Sequence, residues 1–310
     1  MRKSSPLSPP YPPEGGIPQL VFYNLPSSSR AALSPSGELE GGFISRAALS
    51  PSGESEGGCG SCGGCGLFFS TTRHGGQSKG EYSSFNINEY CGDDPADIAA
   101  NRRLLCNELG IDEAHLVMPH QTHGVVVRQI AEDFVHLPDN IRKMILEGVD
   151  AVMTDVSGIC IGVSTADCIP IIIYDPEHHA VATVHAGWRG TVARIAEKAI
   201  QSMAITYYSK PEQLHCVIGP GISLDNFEVG QEVYEQFAEA GFDMDSIAKW
   251  QTKWHIDLKE CNRQQLVRMG VKPDNIEVSN ICTVAVNHDY FSARKQGINS
   301  GRIFTGALIY

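Results

Sequence analysis

A series of long apolar runs constrains the fold of this 310-residue chain more than any other feature. The runs cover residues 149–153, 159–163, 168–174 and 180–184, and most are bounded by glycine or aspartate. Short continuous apolar runs of this kind predict strands that are buried on both faces. Because helix-like segments follow and precede them, the sequence predicts an α/β domain whose sheets are covered by helices, with the strand order left open.

Helix signals flank these runs. Asp93 and Asp94 followed by Pro95 form an acidic start with a proline in the first turn, which predicts a helix that ends before Gly110. Periodicity predicts further helices over 190–207, 230–240 and 257–269. Strand patterns predict further strands over 67–72, 215–218, 276–286 and 302–309.

Residues 1–66 have a different composition. Ser, Pro and Gly dominate from residue 26 onward, and the ten-residue sequence at 29–38 occurs again at 45–54. Such a segment buries too little apolar surface to offset its ordering entropy, and two polar copies are too few for a solenoid. We therefore predict a disordered low-complexity extension over 1–66 and a catalytic domain over 67–310. Within the extension, the apolar residues 19–23 are predicted to form an edge strand of the folded domain.

The cysteines predict a reducing environment. Cys160, Cys216 and similar residues lie in apolar runs, where a thiol is usually a small buried hydrophobe. The extension carries Cys59, Cys62 and Cys65, but a closed metal site needs a fourth ligand and a rigid surround, so a structural or incidental role is favoured over adventitious metal binding. Without an apolar signal region or a run of about 18 apolar residues, we predict a cytoplasmic protein without a membrane span.

The formal charge of −12 argues against nucleic acid as a partner, because phosphate neutralisation needs a basic face. A small anionic or neutral substrate is compatible with this charge, since a few local arginines suffice to bind it. Nothing in the sequence indicates self-association, so a monomer is the default expectation.

Three short polar segments follow predicted strands: 120–124, 165–170 and 184–191. They place His123, Cys168 and His185 at strand ends, and one thiolate with two imidazoles suits a catalytic Zn²⁺ that keeps one position open. A histidine that ends a strand is also often a hydrogen-bonded structural residue, and a cysteine is often core. On chemistry alone, both interpretations stand.

These segments resemble the laccase-domain family, also called YfiH-like. The resemblance rests on Phe69-Ser-Thr-Thr-Arg-His-Gly-Gly76, Gln121-Thr-His-Gly124, Ala166-Asp-Cys-Ile-Pro170 and His185-Ala-Gly-Trp-Arg-Gly190, with shorter matches near 218–222, 257–263 and 282–294. Members were first called polyphenol oxidases and are now described as purine nucleoside phosphorylases. The resemblance covers about 67–310; Thr72 and the repeat-bearing extension depart from the family pattern.

The resemblance implies a Zn²⁺ held by His123, Cys168 and His185, with Cu²⁺ as the alternative ion. It implies a layered α/β/β/α fold. The implied activity is phosphorolysis of adenosine, inosine, guanosine or methylthioadenosine, together with hydrolytic deamination of adenosine. The expected binding partners are therefore a purine nucleoside and phosphate.

Roles for the neighbouring residues stay open. Arg73 and Arg189 are candidates for binding phosphate because a guanidinium matches phosphate oxygens bidentately, and Arg189 is alternatively a surface residue. Asp167 is either a general base or a structural turn carboxylate, with the second preferred slightly. Trp188 either stacks on a purine or belongs to the core, and His120 is assigned a supporting or structural role.

Two rival functions come from other classes. A copper-dependent polyphenol oxidase needs several coppers, usually bound by His-x-His pairs, and the chain contains none. The other rival is a non-enzymatic metal-binding scaffold that works through residues 1–66. A base deaminase of the H-x-E and P-C-x-x-C type is excluded, because both motifs are missing from the sequence.

Overall fold

The computed structural model describes residues 19–23 and 66–310. The strands are β1 Leu20–Tyr23, β2 Gly66–Thr71, β3 Leu116–Val117, β4 Val127–Gln129, β5 Ala151–Thr154, β6 Cys160–Thr165, β7 Ile169–Asp175, β8 Ala180–Ala186, β9 His215–Ile218, β10 Glu228–Val229, β11 Ala248–Trp250, β12 Trp254–Ile256, β13 Ile276–Val278 and β14 Ile303–Ile309. The α-helices are α1 Pro95–Leu109, α2 Asp139–Leu146, α3 Trp188–Val192, α4 Ile195–Tyr207, α5 Gln231–Glu239, α6 Met244–Ile247, α7 Leu258–Arg268 and α8 Ala293–Gln296.

Two large mixed sheets form the centre of the fold. One has the strand order β1-β2-β14-β6-β3, and the other has the order β13-β9-β7-β8-β5-β4. A small sheet, β10-β12-β11, lies apart from both. In the six-stranded sheet, β7 pairs antiparallel with both β8 and β9. This central position of β7 explains why its sequence is apolar without interruption.

Alternate residues of the central strands face different layers. Ile172 and Tyr174 of β7 pack into a core between the two sheets, whereas Ile171 and Ile173 pack on the opposite face, which α4 and α7 cover. A third core lies on the outer face of the five-stranded sheet, where Leu105 and neighbouring residues of α1 pack. The layers therefore run α/β/β/α, which confirms the predicted fold class.

Local signals set the bounds of α1 as predicted. The Asp94 carboxylate accepts a hydrogen bond from the backbone N–H of Ala96 at 2.8 Å, which satisfies one of the free donors in the first turn. Gly110 ends the helix in a left-handed conformation with φ of 68°, which costs glycine little.

Two predicted elements differ from the structure. The helix predicted over 190–207 is divided into α3 and α4 by Arg194, whose φ is 65° and whose guanidinium lies 3.7 Å from the Phe242 ring centroid. The strand predicted over 276–286 is wrong beyond Val278. After that residue the described backbone forms an isolated bridge between Gly221 and Cys282 instead of a strand, and the Lys259 ammonium donates to the carbonyls of Ser279 and Ile281, both at 2.7 Å.

The predicted edge strand at residues 19–23 is confirmed as β1. It pairs antiparallel with β2 at the edge of the five-stranded sheet, and the Tyr23 hydroxyl lies 2.9 Å from Ser70 Oγ. The duplicated segment and Cys59, Cys62 and Cys65 lie outside the described residues, so the interpretation of the extension stays a prediction. Within 19–23 and 66–310, no helix is both long and apolar enough to cross a membrane.

Candidate metal centre

The register of β7 against β8 brings two of the expected metal ligands to one edge of the six-stranded sheet. Cys168 lies directly before β7, and His185 is the penultimate residue of β8. The antiparallel pairing places Pro170 opposite His185 and Ile169 opposite Ala186. The start of β7 therefore meets the end of β8, and the loop between β3 and β4 brings His123 to the same edge.

The three side chains form a group that fits a metal ion. Their potential ligand atoms, one sulfur and two ring nitrogens, all lie within 4.8 Å of one another. A tetrahedral Zn²⁺ bound at roughly 2.0–2.3 Å from each ligand sets these atoms roughly 3.3–3.7 Å apart, so small side-chain rotations suffice for loading. His185 is buried, Cys168 is partly exposed and His123 is exposed, which leaves one side of the group open to the solvent.

Asp150 fixes the position of two ligands. One of its carboxylate oxygens lies 2.7 Å from His185 Nδ1 and also accepts from the backbone N–H of His123 at 2.9 Å. The other oxygen accepts from the N–H of Gly124 at 2.7 Å. With Nδ1 bonded to the carboxylate, Nε2 of His185 is the nitrogen that remains for a metal, as is usual for histidine ligands.

The electrostatics of this group favour the thiolate. Burial by itself raises the pKa of Cys168, but the neighbouring His185 and hydrogen bonds with His123 and His185 outweigh it and lower this pKa. Burial likewise lowers the pKa of His185, and the sulfur of Cys168 and the carboxylate of Asp150 reverse the shift and raise it. Both shifts favour a thiolate on Cys168 beside a protonated His185, and the thiolate is the form that binds metal.

Gly187 keeps space open beside the ligands. A Cβ atom at this position would lie 2.9 Å from His123 Cδ2 and 3.1 Å from Cys168 Sγ. The backbone φ of Gly187 is −66°, so the conformation itself suits any residue. Glycine therefore leaves room for the side chains of His123 and Cys168, and a larger residue here would force one of them to shift.

The carboxylate of Asp167 serves the structure of the loop. Its oxygens accept hydrogen bonds from Thr283 Oγ1 at 2.6 Å, Ser292 Oγ at 3.0 Å and the backbone N–H of Arg294 at 2.7 Å. Asp167 also has a φ of 82°, a left-handed conformation that costs a non-glycine residue about 1 kcal/mol or more. These contacts support the turn-carboxylate interpretation and join the loop at 283–294 to the residue before Cys168.

The three candidate ligands line one side, here called the floor, of a cavity of about 510 Å³, a volume within the usual range for small-molecule sites. Its wall includes Tyr90 and His120, whose rings stack with centroids 4.0 Å apart and planes at 19°. Nδ1 of His120 lies 2.8 Å from the Glu147 carboxylate. Two arginines, Arg294 and Arg302, also line the cavity.

Of the other residues that the sequence pointed to, some line the cavity and some do not. Trp188 lines the cavity. The guanidinium of Arg189 is exposed and lies 4.3 Å from the centroid of the Trp188 ring. Arg73 donates to the carbonyls of Ser83 and Asn287, both at 2.8 Å. Neither Arg73 nor Arg189 lines the cavity that holds the three ligands.

Sequence reasoning missed Asp150, Tyr90 and Arg294, which the structure places at the site. Asp150 interrupts an apolar run of the sequence directly before β5, and a buried carboxylate of this kind needs partners, so its position was a usable signal. Arg294 occurs in a matched motif, but its distance of 126 residues along the chain from Cys168 (294 − 168) gave no indication that the two meet.

Comparison with known proteins identifies a family and relatives of this chain. A sequence profile described as multi-copper polyphenol oxidoreductase laccase matches residues 67–309. A purine nucleoside phosphorylase of Bacteroides thetaiotaomicron is 44 % identical over 245 residues, which span 78 % of this chain and 91 % of that protein. A protein named adenosine deaminase RL5, from an unknown prokaryotic organism, is 44 % identical over 241 residues, with coverage of 77 % and 92 %.

Solved structures lead to the same group. The crystal structure of YlmD from Geobacillus stearothermophilus superposes with a TM-score of 0.73 at 29 % identity, covering 78 % of this chain and 91 % of that one. The Bacillus licheniformis protein YfiH gives a TM-score of 0.72 at 27 % identity, with coverage of 78 % and 92 %. The chain therefore belongs to the multi-copper polyphenol oxidoreductase laccase family, the laccase-domain family of YfiH and YlmD.

Proposed function

We propose that this protein is a zinc-dependent purine nucleoside phosphorylase that also deaminates adenosine. The proposed substrates are adenosine, inosine, guanosine and methylthioadenosine, each cleaved with phosphate. The observation that carries the proposal is the convergence of His123, Cys168 and His185 on the floor of a cavity large enough for a nucleoside. The names of two relatives, purine nucleoside phosphorylase and adenosine deaminase, support the two activities.

Zinc suits the ligand set better than copper does. One thiolate and two imidazoles are the ligands of a catalytic zinc site with an open position. Within the described residues, these three side chains are the one group of His, Cys, Asp and Glu residues that lie close enough together to hold a metal ion. A polyphenol oxidase that moves electrons between several coppers needs more ligands than these three. Copper bound at the same group, with slow oxidation of phenols, is the alternative outcome of the test.

For phosphorolysis, the cavity must bind phosphate, hold the purine base and allow the base to take up a proton as it leaves. A phosphate oxygen forms a bond to ribose C1′ while the bond from C1′ to the purine nitrogen breaks, and the departing base takes up a proton. The wall must hold the base, and the ring of Tyr90, 37 % exposed and stacked on His120, offers it an aromatic face. When bound, zinc supplies a Lewis acid that polarises oxygen ligands and makes water acidic enough for deamination.

The location and assembly proposed for this enzyme follow from its chemistry. The seven cysteines described in the structure are unpaired, and Cys168 must stay reduced to bind zinc, which supports the cytoplasm as its location. All three ligands come from one chain, so a monomer contains a complete site. A scaffold role through residues 1–66 is the non-enzymatic alternative, and deletion of these residues without loss of activity would argue against it.

The test is a product assay on zinc-loaded protein. Adenosine or inosine is incubated with and without phosphate, and the free base, ribose 1-phosphate and inosine are followed. We expect base release that depends on phosphate, and inosine formation from adenosine without it. Cys168→Ala is expected to lose both. Failure of the wild-type protein to release base in the presence of phosphate would remove the phosphorylase assignment, and activity only with copper and phenols would favour the oxidase.

A further inference from the structure

The cavity needs a cationic group for the phosphate, and the sequence-predicted arginines do not reach it. The Arg73 guanidinium donates hydrogen bonds to backbone carbonyls of two loops, and the exposed Arg189 guanidinium lies against the Trp188 ring. The arginines on the cavity wall are Arg294 and Arg302. The identity of the anion-binding residue therefore depends on how these two side chains use their donors.

Arg302 is occupied by its own loop. Its two terminal nitrogens donate to the carbonyl oxygens of Ile298 at 2.8 Å, Ser300 at 2.6 Å and Gly301 at 2.9 Å. A guanidinium that binds three carbonyls in this way holds a loop together, and its removal would take the donor away from all three. Arg302 is thus a structural residue of the cavity wall.

The Arg294 guanidinium has N–H donors that remain available for a ligand. Both of its terminal nitrogens lie 3.2 Å from a single acceptor, the backbone carbonyl of Glu228. The Glu228 carboxylate pairs instead with Lys253, at 2.7 Å. Within the described residues, no carboxylate forms an ion pair with Arg294, and its guanidinium is exposed and lies 5.7 Å from the Phe227 ring centroid.

The charges around the cavity suit an anion although the chain as a whole is acidic. Asp167 is the one carboxylate among the described residues that line the cavity, and three hydrogen-bond donors already occupy it. One of these donors is the backbone N–H of Arg294, at 2.7 Å. Asp167 precedes Cys168, so this bond ties the arginine to the loop that carries a metal ligand.

We propose that Arg294 forms the phosphate subsite of this cavity, with inorganic phosphate as its ligand, and that Asp167 positions it through the Arg294 backbone. The guanidinium fork binds the phosphate bidentately and holds it on the side of the cavity away from the Glu228 carbonyl. The assignment of this phosphate as the attacking group rests on the phosphorylase function proposed above. Binding of phosphate at Arg294 does not depend on that function.

The test compares Arg294→Gln with a neighbour of equal charge. Lys295 is exposed and does not line the cavity, so Lys295→Gln is the matched control for loss of one positive charge. In Arg294→Gln we expect the KM for phosphate to rise about tenfold or more and the ratio of phosphorolysis to deamination to fall by the same factor. Arg294→Lys is expected to restore part of the loss, and Lys295→Gln to behave as wild type.

Direct binding separates this inference from the proposed function. Titration of zinc-loaded protein with inorganic phosphate in a calorimeter is expected to show binding that Arg294→Gln weakens about tenfold. Wild type that binds phosphate through Arg294 but releases no base would overturn the function and keep the subsite. An unchanged phosphate affinity and an unchanged KM in Arg294→Gln would overturn the subsite and keep the function.

A further titration with adenosine 5′-monophosphate identifies the source of the phosphate group. If Arg294→Gln weakens binding of the nucleotide and leaves inorganic phosphate unaffected, the arginine recognises a substrate ester and our proposal is wrong. If inorganic phosphate loses affinity, the subsite serves the attacking group, as proposed. Thermal melting of each variant confirms that the exposed substitution leaves the fold intact.

Discussion

The cavity has a floor and a rim that are built in different ways. The floor consists of His123, Cys168 and His185 with the supporting Asp150, and all of these residues except His123 lie at the ends of paired central strands. The rim includes Tyr90, which lies in a loop, and Arg294, which lies in the one-turn helix α8, and the two residues are distant in sequence. Central strands fix atoms to within a fraction of an ångström, as metal ligation requires, whereas loops tolerate the adjustment that substrate entry needs.

The first prediction concerns Asp150, which orients the floor. Asp150→Asn removes the negative charge beside His185 Nδ1. In the wild type, the carboxylate oxygens accept hydrogen bonds from the backbone N–H groups of His123 and Gly124, and in the variant an amide NH₂ group would replace one of these acceptors. We expect zinc affinity to fall about 10- to 100-fold, with turnover falling in parallel at limiting zinc. Competition with a chromophoric chelator measures the affinity.

Asp175→Asn is the matched control for this change. Asp175 is also a fully buried carboxylate beside a histidine nitrogen, His178 Nδ1 at 2.8 Å, but it lies at the far end of β7 and does not line the cavity. Its loss is expected to lower the free energy of unfolding and leave zinc affinity unchanged. Equal zinc affinity in Asp150→Asn and wild type would contradict the role given to Asp150.

The second prediction concerns the space at Gly187. Gly187→Ala places a Cβ 2.9 Å from His123 Cδ2, and the exposed His123 ring is the ligand that is able to move away. We expect zinc affinity to fall about tenfold, which corresponds to about 1.4 kcal/mol. Gly190→Ala serves as the control, because its new Cβ has no ligand side chain among its nearest atoms. If both variants bind zinc equally well, the floor is less crowded than we infer.

The third prediction moves to the rim and has the smallest effect. Tyr90→Leu removes the ring that stacks on His120, so the KM for adenosine is expected to rise about fivefold, or roughly 1 kcal/mol. Zinc content should stay at the wild-type level, because the ring is no ligand. Tyr208→Leu is the control, since this exposed tyrosine does not line the cavity. A change of zinc content in Tyr90→Leu would remove the distinction between floor and rim.

The same division explains what the sequence could and could not predict. His123, Cys168 and His185 lie in short motifs, and the resemblance to the laccase-domain family implied them as ligands without knowledge of the register of β7 and β8. The structure places Cys168 and His185 at strand ends and His123 in the loop after β3. An α/β domain with helix-covered sheets was predictable because β7 is apolar on both faces, whereas the α/β/β/α layering was implied by the family resemblance. Helix α1 was predictable because Asp94 and Gly110 mark its ends.

The rim was beyond sequence reasoning. The sequence pointed to Arg73 because it lies at a glycine-rich turn and to Arg189 because it lies beside His185 in the same motif, but proximity along the chain does not determine which side chains line a cavity. Arg294 reaches the site through the loop that Asp167 holds, a contact between residues far apart in sequence. The break at Arg194 and the end of β13 depend in the same way on tertiary partners, Phe242 and Lys259.

The central claim is tested most directly by zinc stoichiometry coupled to turnover. Purified protein is stripped with a chelator, titrated with zinc, and assayed for phosphate-dependent base release at each step, with Cys168→Ala alongside. The account predicts that one zinc per wild-type chain restores full turnover and that Cys168→Ala neither holds zinc nor recovers. Full turnover in the stripped wild type, or wild-type zinc affinity in Cys168→Ala, would contradict it.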